Sequence, residues 1–325
     1  MPQGDQVRNG KAFEYAIAKE YKNYISKQGL RALLVENDAY KQAKEYYDSF
    51  SDEEHTRFDK AAFETIDTMV KIEPGLVAEI GSGDVLSICL QKDQEGETGE
   101  VRDVVFSRAL SKWEIGFSAK NNNDAVKHSR LSKSLDFGYK WLGIPCSQKY
   151  WDKITPLFDS LYEIRKNNPE ALWSDMGDRK QDDCYIPLLT SFKEELLRIN
   201  EKNEGIPAKL ILYLIGEYPF YKIIKDDIHN MVIVKAFNIN GGLNKTVNKI
   251  KSRYSIPEIK LPTRIVEFEF KKDSKDTLNM ILDGGWEISF RIHNASSKVE
   301  ASLKFDVRLL GNPPVLFTQH LFQEV

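Results

Sequence analysis

The sequence predicts a mixed fold, α+β or α/β: N-terminal helices, then a core of helix, three-strand meander and helix, then a β-rich C-terminal part. Three observations carry this expectation. Apolar residues recur at helical intervals from Phe13 to Val70, alternation replaces that rhythm between residues 76 and 121, and short strand-like runs dominate beyond residue 205.

Taken in order, residues 10–50 read as helices, because Phe13, Ile17 and Tyr21 fall on one helical face and Asn9 or Asp5 can cap the start. Ser51 and Glu54 have capping-box spacing for the next helix, which runs through Phe58, Phe63, Ile66 and Val70 until Pro74 stops it. Strands are expected at 85–90, 101–106 and 113–119, divided by the glycine-bearing turns GSG at 81–83 and EGETG at 95–99. Helices return at 151–167 and 185–200. After them 209–215, 221–224, 231–237, 265–270, 277–282, 286–292 and 303–309 look like strands. The expected division is a helical segment at 1–50, a core at 51–150, a helical connection at 151–205 and a β-rich part at 206–325 packed with the core.

At 325 residues the chain exceeds the usual single-domain size, yet it contains no long linker, so two closely packed subdomains are expected. A formal charge of −3 argues against coating a polyanion by bulk charge; any basic surface must be local. Arg108, Lys112, Lys120, Lys127, Arg130, Lys133 and Lys140 supply one such concentration. Cys89, Cys146 and Cys184 are odd in number and lack CxxC spacing, which favours reduced thiols over disulfides or a zinc site. No signal pattern opens the chain and no apolar run reaches membrane-spanning length, so a cytoplasmic protein without a membrane partner is expected. No GxxxxGK or GxGxxG stands between a strand and a helix, which argues against a P-loop or dinucleotide enzyme.

The most informative stretch is 101–132, expected to be a hairpin running into a helix. Alternation places Glu114, Gly116, Ser118 and Lys120 on one face and Ile115, Phe117 and Ala119 on the other. If residues 109–112 make the turn, Arg108 pairs with Trp113, Asp103 lies opposite Ser118, and Lys120 is one same-face step further on. A carboxylate beside an ammonium suits Mg²⁺-dependent phosphodiester hydrolysis, the first holding the metal and the second orienting water and balancing phosphate charge. An ordinary cross-strand ion pair is the competing reading. Beyond the lysine, Asn121, Asn122, Asn123, Lys127, His128, Ser129 and Arg130 form a run of donors of the kind that binds a phosphate backbone. A second polar strand face, Glu287, Ser289, Arg291 and His293 followed by Asn294 and Lys298, has the side chains that read guanine in the major groove. Arg291, His293, Asn294 and Lys298 are its expected DNA contacts, against the alternative of a polar network bracing the sheet.

Segment 101–132 resembles the HaeIII family of type II restriction endonucleases, together with NGKAFEYA at 9–16, YPFYKIIKDD at 218–227, AFNINGGLN at 236–244 and WEISFRIHNASSKVEASLKFDV at 286–307. The resemblance implies a Mg²⁺-dependent enzyme that cuts double-stranded DNA at a short palindrome, GGCC in the family's namesake. It also implies a nuclease core of the PD-(D/E)xK kind. A twofold site suggests a homodimer, one active site to each strand. Two departures from that core stand out: Arg102 where a proline usually precedes the first acid, and Ser118 where the second acid is expected. Glu114 is the nearest acid on the right face, but four extended residues put it about 13 Å from Ser118. Cores with a serine there take the missing carboxylate from a helix, for which Glu64, Asp124 and Asp136 are candidates. The expected catalytic set is therefore Asp103, Lys120, Glu114 and Ser118, with Asp103, Glu114 and Glu64 on the metal. A nuclease without sequence recognition and a non-catalytic DNA-binding protein are the rival readings.

Overall fold

A computed structural model describes residues 3–78, 81, 83–92, 100–122 and 125–322. Chain order begins α1 (Gln3–Lys27), β1 (Ala32–Leu34), α2 (Asp38–Asp48), α3 (Asp52–Ile72), β2 (Leu86–Leu90), β3 (Val104–Arg108), β4 (Trp113–Asn121) and β5 (Ala125–Ser132). It continues with α4 (Phe137–Leu142), α5 (Gln148–Asn167), α6 (Ile186–Lys202), α7 (Ile206–Ile215), β6 (Phe220–Asp226) and β7 (Met231–Phe237). The last elements are β8 (Ile265–Phe270), β9 (Thr277–Leu282), β10 (Glu287–His293), β11 (Ser302–Gly311) and β12 (Thr318–Phe322).

Two compact units divide these elements, the first formed by Met1–Asp124, Gly216–Ile259 and Val315–Val325. Its seven-stranded sheet has the order β1-β2-β3-β4-β6-β7-β12. β2, β3 and β4 form the expected antiparallel meander, while β4 and β6 run parallel. Helix α1 lies over β1 to β4 and buries Phe13, Ile17, Tyr21 and Ile25. Tyr21 meets the rings of Phe106 and Phe117 at 5.1 and 5.4 Å, the T-shaped and tilted contacts that aromatic quadrupoles favour. The capping box at the start of α3 is formed: Ser51 Oγ accepts from Glu54 N–H and Ser51 N–H donates to Glu54 Oε2. The helix over the meander is thus α1, whereas α3 packs beside β7.

The second unit comprises Ala125–Ile215 and Lys260–Pro314. Its five strands follow the order β5-β11-β10-β9-β8, every neighbouring pair antiparallel. Phe192 of α6 is the hub of the core, with the rings of Phe137, Phe268, Phe290 and Phe305 all within 6.1 Å of its own. The division expected in sequence order gives way to interleaving, because β6, β7 and β12, placed with a separate C-terminal part, complete the first sheet.

Two expected elements are of the other kind. The helix expected after Lys120 is strand β5, whose ladder partner is the distant segment 302–308 of β11. The strand expected at 209–215 is helix α7, where Ile206, Leu210, Ile211 and Leu214 share a buried stripe and Pro207 sits in the first turn, where its missing N–H costs nothing. Cys89, Cys146 and Cys184 are free thiols. Among the described residues no helix is long and apolar enough to cross a membrane.

Candidate active site

The turn at 109–112 sets the register of β3 against β4 as the sequence requires, pairing Arg108 with Trp113 and Ser107 with Glu114. Asp103 continues that ladder, its N–H donating to Phe117 O at 2.7 Å. Three donors from the opposite strand converge on Asp103 Oδ2: Ser118 Oγ at 3.2 Å, Ala119 N–H at 2.8 Å and Lys120 Nζ at 3.2 Å. The carboxylate is fixed in place while Oδ1 carries no hydrogen bond among the described residues. Lys120 keeps 32% of its side chain exposed, so the pair opens to solvent. β4 outruns β3 and is held there by β6, with Lys120 opposite Ile224 and Asn121 opposite Lys225.

A second carboxylate comes from α1. Glu14 is buried, with Oε2 accepting from the equally buried Lys11 Nζ at 3.0 Å. Burial pushes its carboxyl up to about 8; the charge of Asp103 adds to the rise, and Lys11 and Lys120 oppose it. The charges of Asp103 and Lys120 both act on Glu14, and a carboxyl shifted by burial together with a specific charged neighbour is a common feature of functional sites. The sequence reading passed over it. The available signal was that Lys11 and Glu14 share the heptad-spaced stripe of Ala18, Tyr21 and Ile25, an apolar face where charges are costly.

The profile of the HaeIII restriction endonuclease family matches residues 10–313. The type II restriction enzyme HaeIII of Haemophilus aegyptius is 40% identical over 309 residues, 95% of each chain. The chain belongs to the HaeIII restriction endonuclease family. It is a type II site-specific deoxyribonuclease. No solved structure matches it.

Other expected site residues of the endonuclease lie elsewhere or do other work. Glu114 sits at the turn end of β4, half exposed, and binds Arg102 Nη1 at 2.7 Å, so it does not join Asp103. Arg102, standing where a proline was expected, folds over Gly116, grips Glu100 and lies 4.7 Å from the Tyr218 ring. Glu64 is half-buried on α3 and forms no contact with Asp103 or Lys120 among the described residues. Asp136 caps α4 and accepts from Cys146 N–H. Arg108 is buried on Asp84 and two backbone carbonyls rather than offered to a phosphate.

Among the expected DNA contacts, Asn121 and Asn122 line a cavity of about 430 Å³ with Arg8, Asn9, Arg57 and Lys225. Asn122 takes φ 54°, a left-handed conformation that asparagine tolerates, and exchanges two hydrogen bonds with Asp227. Asn123 lies outside the described residues, as do the side chains of Lys127 and His128. Ser129 meets Tyr213, and Arg130 is exposed beside Glu300. Arg291 is exposed, 3.5 Å from Asp276. His293 is held by Asp306, Asn294 by Lys180, and Lys298 pairs with Glu170.

No group of three or more His, Cys, Asp or Glu placed to hold a metal ion is present among the described residues. Two hard carboxylates remain near Lys120, a donor set that suits Mg²⁺, which keeps several waters and takes substrate phosphate oxygens as well.

Proposed function

We propose that the endonuclease cuts both strands of DNA at GGCC with Mg²⁺ held by Asp103 and Glu14, in a variant of the PD-(D/E)xK core whose second acid has moved from strand to helix. The convergence of Ser118, Ala119 and Lys120 on one oxygen of Asp103, with Glu14 within its field, carries this reading. Similarity to HaeIII over 95% of the chain supports the choice of GGCC.

Bound there, the metal would lower the pKa of a coordinated water and offset charge on the phosphate. Lys120, anchored on Asp103 but still exposed, orients the attacking water and balances negative charge developing on the scissile group. Ser118 and the Ala119 amide keep Asp103 Oδ2 occupied, which turns Oδ1 outward. Lys11 limits the cost of holding Glu14 ionised. Asn121 and Asn122 at the end of β4, and Arg130 and Arg291 on the second sheet, contact the DNA. A homodimer, with one site for each strand of the palindrome, and a cytoplasmic setting belong to the same reading.

Plasmid DNA incubated with the protein and Mg²⁺, followed by sequencing of the ends, tests it. Discrete fragments ending within GGCC are expected, absent in EDTA and reduced at least about 10²–10³-fold in Asp103→Ala and Lys120→Ala. A smear, or cutting that survives both substitutions, overturns it.

A further inference from the structure

The two faces of the five-stranded sheet are chemically opposite. One carries Leu278, Met280, Ile288, Phe290, Phe305 and Val307, all fully buried and packed toward Phe192 and its neighbours. Helices cover that face, and an antiparallel sheet so covered can offer its other side to water. Register assigns the other side without reference to side-chain placement. One row runs Arg130, Lys304, His293 across β5, β11 and β10; another runs Arg308, Ser289, Asn279 across β11, β10 and β9. Arg291 and Asp306 pair between them.

The charges on this face are incompletely matched. Arg130 has Glu300, and Arg291 has Asp276 at a loose 3.5 Å. Arg308 is exposed and Lys304 half-exposed, and neither has a hydrogen bond or ion pair among the described residues. The row of Arg308 runs through Asn279, whose Oδ1 is buried without a donor, to Glu269 on β8, whose charge is taken by Lys193. Arg308 and Lys304 thus place two unpaired positive charges on one polar sheet face, which complements a polyanion.

We propose that this sheet face docks double-stranded DNA, with Arg308 a specificity-determining residue that reads guanine and Lys304 an anchor on the phosphate backbone. The proposal rests on the endonuclease reading for the identity of the DNA but not on the metal site. An arginine at the centre of a sheet has the fork that matches guanine O6 and N7, whereas a lysine near its margin offers a point charge to phosphate. Sequence reading reached Arg291 on the neighbouring strand but missed Arg308, because only the β10–β11 register reveals that the two share a face.

Binding in Ca²⁺ of two labelled duplexes, one carrying GGCC and the other GATC in its place, tests the assignment by fluorescence anisotropy. Arg308→Ala should lose about 5- to 150-fold of the preference for GGCC. Arg308→Lys should recover general affinity without the preference. Lys304→Ala should weaken both duplexes alike and lower the salt slope by about one. Lys149→Ala, on helix α5, serves as the control and should change nothing, and thermal melts establish that each variant is folded. If Arg308→Ala keeps both preference and affinity while the parent still cuts plasmid into discrete fragments, the face is not the reader and the endonuclease reading stands. If the parent fails to cut yet its duplex binding depends on Arg308, the docking face stands and the proposed activity falls.

Discussion

Glu14→Gln separates a functional carboxylate from a structural one. A carboxyl that titrates near 8 when folded and near 4.5 when unfolded binds a proton on folding throughout the range between. Its folded pKa is raised, so the neutral form is the stable one and stability is lost as pH rises through that window. At about 1.4 kcal/mol per pH unit, the loss is on the order of 4 kcal/mol by pH 7.5. Glutamine resembles the protonated acid in shape and charge and cannot titrate. The parent and the variant should therefore be closest in stability at or below about pH 4.5, and the balance should swing toward the variant by that amount as pH rises to 7.5. Urea unfolding of both proteins in EDTA at three pH values measures the swing. Mg²⁺ should raise the parent's melting midpoint but not the variant's, since a ligand stabilises only the state that binds it, and cleavage should disappear. A pH-independent difference, or a variant that keeps its Mg²⁺ response and still cuts, refutes the assignment of Glu14.

Glu114→Gln should leave cleavage near the parental rate and cost under about 1 kcal/mol of stability, as expected for an exposed partner of Arg102; a large loss of kcat would return it to the metal site. Gly116→Val should destabilise by about 1–3 kcal/mol in a urea titration, because a Cβ there overlaps the Arg102 side chain. Glu73 is fully buried beneath Tyr221 and the Asn244 amide, both at 2.6 Å, and burial lifts its carboxyl to about 7 despite those bonds. Its contribution likewise falls as pH rises from about 4.5 to 7, so Glu73→Gln should flatten part of the stability profile over that range without altering metal affinity. An unchanged slope would count against it.

The hairpin carrying Asp103 and Lys120 was legible because a short turn fixes the count along both arms, and alternation then decides which side chains meet. What lay beyond local rhythm was not. Strand β5 is a strand because β11, more than a hundred residues away, pairs with it. Helix α7 is apolar at so many consecutive positions that periods of two and of 3.6 fit nearly alike, and the buried stripe settles which applies. Glu14 was hidden for a different reason: a glutamate on a helix ordinarily marks solvent, and only burial beneath the meander gives it a chemical neighbour. The three-residue β1 and the mostly exposed β12 carry too little pattern to be recognised alone.

The interleaving of the two units has a consequence for how such an enzyme can change. The polypeptide passes between them four times, near residues 124, 215, 259 and 314, and both chain ends belong to the unit that holds Asp103. Trimming from either terminus erodes the unit that carries Asp103 and Lys120 before it touches the other unit. Exchanging the second unit would mean replacing two separate inserts at once, with β5 from one and β11 from the other still matching along their shared ladder. Point substitutions on a retained scaffold are therefore the easier route to a new target.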